Sequence, residues 1–66
     1  MEFALNGEVQ RADGPLTVGE LLERFALRER RVAVAVNTNV VPRSRFDQVK
    51  ICEGDRVEVI QAVGGG

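Results

Sequence analysis

The sequence predicts an α+β fold, a mixed sheet of four to five strands packed on one helix, and three observations carry that expectation. Thr17-Val18-Gly19-Glu20 fits a capping box that opens an apolar stripe at helical spacing. Val32-Ala33-Val34-Ala35-Val36 is a short β-branched run of the kind found in well-buried strands. Arg56 to Val63 alternates Val57 and Val59 with Glu58 and Ile60, the pattern of a further strand.

The elements follow in order. Met1, Phe3 and Leu5 share one side of an extended segment, with Glu2 and Ala4 on the other, so a half-buried strand opens the chain. Asn6-Gly7 tolerates positive φ and suits a two-residue type I′ hairpin, with a second strand from Glu8 to about Ala12. That turn pairs Leu5 with Glu8 and puts Gln10 and Ala12, rather than Val9, on the core face; a bulge or a longer turn would restore Val9, and the sequence leaves the choice open. Asp13-Gly14-Pro15 ends the strand. In the helix, Val18, Leu21, Leu22 and Phe25 recur at i, i+3, i+4 and i+7, and burying four such side chains is worth roughly 6–12 kcal/mol gross against about 1 kcal/mol for the cap. Packing makes this helix of about ten residues, which would not persist alone. The Arg28, Arg30, Arg31 run, interrupted by Glu29, reads as a solvated loop. After the Val32–Val36 run, Asn37-Thr38-Asn39 turns the chain, and Val40-Val41 makes a brief strand that Pro42 confines to an edge. Phe46, Val49 and Ile51 pin a long connection, and Glu53-Gly54-Asp55 is the last turn. Two hairpin strands, a helix across their sheet and a returning strand parallel to the first describe a β-grasp, the ubiquitin-like fold, over residues 1–63, with residues 64–66 as a flexible glycine tail.

Composition excludes several function classes. A chain of 66 residues uses nearly all its apolar material in one core, which leaves little for an enclosed substrate pocket. It has no His and a single Cys, Cys52, so the usual general base, a disulfide framework and a zinc site are all out of reach. Cys52 reads as a small buried hydrophobe. Nine Lys and Arg nearly match ten Asp and Glu, so no global field gathers nucleic acid. No apolar run approaches the ~20 residues of a membrane helix and no signal pattern opens the chain, so a cytoplasmic protein is expected.

The tail Gly64-Gly65-Gly66 carries the chemistry. It follows directly on a strand, spans roughly 10 Å when extended, and has no side chains to bar it from a narrow channel. Ordering it costs on the order of 1 kcal/mol per glycine relative to alanine, which makes sense where another protein holds it. With Gly66 read as the chain's end, its carboxylate has a reference pKa of about 3.5 and must be activated before a nucleophile attacks. Transfer to AMP from ATP gives an acyl-adenylate, and a sulfur nucleophile then leaves a thiocarboxylate on Gly66. No acid, base, metal or bound cofactor is asked of this chain, and no catalytic residue of its own.

Taken with the length, the opening strand closing on Asn6-Gly7, Thr17-Val18 with Glu20-Leu21-Leu22, Val36-Asn37 followed by Val41-Pro42-Arg43, Glu53-Gly54-Asp55 and the terminal Gly65-Gly66 resemble the ThiS family of thiamin-biosynthesis sulfur carriers over the whole chain. Gly-Asp and Gly-Gly are shared by all ubiquitin-like carriers, and Val41-Pro42-Arg43 is what favours the thiamin branch. Gly64 is a departure, since many relatives have two terminal glycines. The resemblance implies two successive partners, a ubiquitin-activating-type adenylating enzyme that uses ATP to charge Gly66 and a thiazole synthase that takes the sulfur, with a cysteine desulfurase as the source. With Val57 and Val59 facing the helix, Glu58, Ile60 and Ala62 face outward as a docking surface, and Arg43 and Arg45 are available to an acidic partner surface. The alternatives are the small subunit of molybdopterin synthase, a ubiquitin-like modifier that joins Gly66 to lysines, and a non-covalent β-grasp binding module.

Overall fold

Local turn chemistry sets the register of the opening hairpin. In the computed structural model, which describes residues 1–61, β1 (Glu2–Leu5) and β2 (Glu8–Arg11) pair antiparallel with Leu5 opposite Glu8. Asn6 and Gly7 between them have φ of 50° and 84°, the positive values of a type I′ turn. The two-residue turn therefore stands unrepaired, and Val9 is 69% exposed while Gln10 is half-buried and Ala12 packs on the core.

After β3 (Leu16–Thr17), the helix α1 (Val18–Arg24) begins at the expected cap. The Glu20 amide donates to Thr17 Oγ1 at 3.0 Å, and the Thr17 amide donates to Glu20 Oε1 at 2.8 Å. The next free amides are used as well, since Val18 donates to the Val49 carbonyl at 3.0 Å and Gly19 to that of Phe46 at 2.8 Å. Val18, Leu21 and Leu22 are buried, but Phe25 is 41% exposed and does not complete the stripe. The helix has seven residues rather than about ten because it closes early. Ala26 has φ of 59°, its amide bonds the Glu23 carbonyl, and the Leu27 amide bonds the Leu22 carbonyl at 2.7 Å, the paired bonds of a Schellman motif. Phe25, at the cap, has already left the helical path, and Leu27 packs against the core in its place.

The loop that follows is more anchored than its charges suggest. Arg28 is only half-exposed and pairs with Glu23 at 2.8 Å and Asp47 at 2.6 Å, which corrects the solvated reading for this residue. The hydrogen bond from Arg28 holds the Asp47 carboxyl below its usual value of 3.8. A Cβ on the buried Gly19 would run into this pair.

β4 (Val32–Val36) and β5 (Asn39–Val41) form a second two-residue hairpin, with Asn37 and Thr38 at φ of 50° and 72°. A 3-10 turn at Arg43–Arg45 leads to β6 (Lys50–Ile51) and then β7 (Arg56–Gln61). The main sheet has the order β2-β1-β7-β4-β5, with β1 and β7 parallel and the other pairs antiparallel. It grips α1 over a core that includes Phe3, Leu21, Leu22, Val34 and Val57. This is the expected β-grasp. β3 and β6 add a two-stranded ribbon, Leu16 opposite Ile51, that two-residue segments are too short to announce by period.

An alanine in left-handed backbone is strained by roughly 1–2 kcal/mol, so Ala26→Gly should raise the unfolding free energy by about 1 kcal/mol. A higher urea midpoint with unchanged slope is the expected reading.

Candidate functional site

The candidate site is the end of β7 and the residues that follow it. Gly64, Gly65 and Gly66, and Ala62 of the expected docking surface, lie outside the described residues, so the structure speaks to the platform before them. That platform is the central strand of the sheet. On one edge, β4 pairs with β7 over five positions, from Val36 opposite Val57 to Val32 opposite Gln61. On the other edge, β1 supplies a parallel ladder that begins with the Ala4 amide on the Asp55 carbonyl and continues with the Asn6 amide on the Val57 carbonyl, both at 2.9 Å.

At Asn6 the main chain turns away, yet the ladder continues. The Asn6 side-chain amide takes both main-chain groups of Val59, Nδ2 donating to the Val59 carbonyl at 3.1 Å and the Val59 amide donating to Oδ1 at 2.9 Å. One side chain thus stands in for a strand residue and extends the support of β7 toward the tail. Asn6 serves twice, since the same residue adopts the positive φ of the turn.

A second amide and a carboxylate fix the start of β7. Asn37 Oδ1 accepts from the Arg56 amide at 2.9 Å, and Asn37 Nδ2 donates to Asp55 Oδ1 at 3.0 Å. Asp55 Oδ2 accepts from the Cys52 amide at 2.8 Å. Gly54, at φ of 81°, makes the turn and donates to the Glu2 carbonyl at 2.7 Å. Cys52 is exposed rather than buried, because Ile51 beside it takes the inward position and Cys52 is the first residue of the turn.

The faces of β7 fall as expected. Val57 is buried and Val59 packs against the core, while Glu58 is exposed and Ile60 is 68% exposed. Ile60 lies opposite Ala33, and Glu58 opposite Ala35, whose other neighbour is Val40 at 75% exposure. With Ala4 and its partner Val9, these residues give the open face of the sheet an apolar character broken by Glu58 and Arg56. Arg43 is tethered within the fold rather than loose in solvent. Its Nη2 donates to the carbonyls of Arg28 and Arg30, at 3.4 and 3.0 Å, and clamps the loop that leads into β4. Among the described residues there is no buried charged side chain, no group of three metal-ligating side chains and no helix long and apolar enough to cross a membrane.

Comparison with known proteins bears on what this platform presents. The model of the ThiS family matches residues 3–66. The sulfur carrier protein ThiS of Escherichia coli is 32% identical over the full length of both chains. A thiazole synthase of Paramagnetospirillum magneticum is 36% identical over the whole of this chain, which spans only 20% of that protein. The crystal structure of the thiamine biosynthesis protein ThiS from Geobacter metallireducens superposes with a TM-score of 0.84 at 35% identity, covering all of both chains.

The Asn6 side chain can be separated from its backbone role. Asn6→Gly keeps positive φ and loses the two bonds to Val59, for an expected loss of about 1 kcal/mol, whereas Asn6→Ala adds the strain of the turn and should lose about 2 kcal/mol. In both variants the Val59 amide should exchange with solvent faster than in the wild type, read by native-state hydrogen exchange.

Proposed function

The chain belongs to the ThiS family, and from that premise we propose that it carries sulfur for thiamin biosynthesis as a thiocarboxylate on Gly66. The observation that supports this most is the sequence Gly64-Gly65-Gly66 following a strand held on both edges up to Val59 and Gln61. A well-anchored handle lets a partner grip the domain while the glycines enter a channel that excludes side chains. The reactive group is then a carboxylate that other proteins transform, and the chain is their co-substrate rather than a catalyst.

The chemistry proceeds in successive displacements. The Gly66 carboxylate attacks the α-phosphorus of ATP in an adenylating enzyme of the ubiquitin-activating type, and pyrophosphate leaves. The terminal sulfur of a persulfide, drawn from a cysteine desulfurase, attacks the acyl carbon and expels AMP. A thiol then cleaves the resulting acyl disulfide, leaving the thiocarboxylate on Gly66 and a disulfide on the donor; one carboxylate oxygen departs with AMP and sulfur replaces it. A glycine next to that carbon leaves the approach unhindered. Thiazole synthase is the acceptor of the sulfur, a reading supported by the thiazole synthases that contain a segment similar to this chain. Glu58 and Ile60, with Ala62, form the surface that guides the tail into these partners. Repeated hand-over calls for modest interfaces.

Intact mass spectrometry after incubation with the adenylating enzyme, ATP and a sulfide source should show a gain of about 16 Da, one oxygen exchanged for sulfur. A chain lacking Gly65 and Gly66 should fold normally and gain nothing; an unchanged mass for the full chain under the same conditions would remove the carrier reading. Ile60→Asp, at a position already exposed to water, should leave the melting temperature within a few degrees and slow charging about tenfold. Charging at the wild-type rate would detach Ile60 from docking.

A further inference from the structure

The end of the sheet at which β7 reaches Gln61 has a corner that docking through Ile60 alone does not use. Arg31 and Arg43 flank a shallow hollow whose floor is Val32, Ala33 and Ile60. Gln61 pairs with Val32, the residue next to Arg31, so this corner borders the place where the chain runs on toward its glycines. Among the described residues, no acidic side chain lines the hollow.

The two cations differ from their neighbour Arg28 in one decisive way. Arg28 is neutralised twice, by Glu23 and by Asp47. Arg31 and Arg43 make no ion pair among the described residues. Arg43 is moreover immobilised, since its guanidinium donates to the main-chain oxygens of Arg28 and Arg30. Carbonyls fix its position without cancelling its charge, which leaves a preorganised cation beside an apolar floor, with Nε and Nη1 unused among the described residues. Glu29 lies on the other side of Arg43, in the separate hollow shared with Arg28 and Arg30.

We propose that Arg31 and Arg43 form an electrostatic docking rim, which seats against a carboxylate-bearing protein surface at the mouth of the site that receives the C-terminal glycines. The inference rests on the carrier reading and deepens it by naming the chemistry of the partner. A protein fits better than nucleic acid, because the floor holds no aromatic side chain on which a base could stack and the chain as a whole is at −1. Charges at such a rim act mainly on the rate of encounter and are screened over about 10 Å at 0.1 M salt.

The test measures association of the full-length chain with the adenylating enzyme by surface plasmon resonance across a salt series, with intact-mass charging of the wild type followed in parallel. Arg31→Glu, at an exposed position with no side-chain hydrogen bond among the described residues, should lower the association rate about tenfold at low salt, with the gap closing to within about twofold at 0.5 M. Arg43→Gln should do the same, and Arg43→Lys, which keeps the charge, should restore most of the rate. Rates for Arg31→Glu and Arg43→Gln that match the wild type at every salt concentration would overturn the proposal, as would a loss indifferent to salt. Binding of a single-stranded oligonucleotide that falls in these variants while enzyme association stays unchanged would assign the corner to nucleic acid and overturn it as well. A wild type that gains mass while its variants associate normally defeats the rim alone; a wild type that neither binds nor gains mass defeats the rim and the carrier reading together.

Discussion

Everything in this domain depends on the insertion of β7 between β1 and β4. The strand nearest the C-terminus is the middle strand of the sheet, and it closes against two strands that lie some 50 and 25 positions earlier in the sequence. Its inward side chains, Val57 and Val59, complete the core beneath α1, and its outward side chains, Glu58 and Ile60, occupy the centre of the open face. A residue added or lost in β7 would exchange these two sets, because side chains alternate strictly along a strand. The same register that builds the core therefore sets which side chains line the open face.

That register is defended by polar groups at both ends of the strand. Asn6 holds Val59 through two bonds from its side chain to the main chain, and Asn37, itself held by the Asp55 carboxylate, accepts from the Arg56 amide. These contacts are exposed, so each contributes on the order of 1 kcal/mol at most. Their value is directional. Hydrophobic burial sets how strongly β7 binds in the sheet, and the amides fix its register.

Much of this was legible in the residues. Asn6-Gly7, the Thr17 to Glu20 cap, the Val32–Val36 run and the alternation from Arg56 gave the hairpin, helix and strands, because each carries a local signal that the tertiary structure does not contradict. Where the reading failed, the deciding fact lay elsewhere in the chain. Phe25 continues the helical stripe, but Ala26 adopts a left-handed conformation that alanine does not advertise, and Leu27 takes the apolar site. Cys52 has a composition suited to the core, and the turn assigns the inward place to Ile51. Arg28 looks like solvated charge, and Arg43 like an untethered cation, until Asp47 and the loop carbonyls are brought beside them from distant positions. Asn6 was foreseen as a turn former; its second task at Val59, 53 residues away, has no trace in its neighbours. For the candidate site, the glycines were legible from composition and the outward face of β7 from its period. The cationic corner was not, since it needs Arg31, Arg43 and Ile60 in one place.

The central position of β7 also bears on how the protein is made. During synthesis β1, α1 and β4 leave the ribosome first, yet until residues 56–61 emerge the two halves of the main sheet have nothing between them, and contacts of such long separation close slowly. A chain that stops early lacks the wedge that joins those halves and stays open to proteolysis. Synthesis through residue 61 is thus a condition for closing the main sheet.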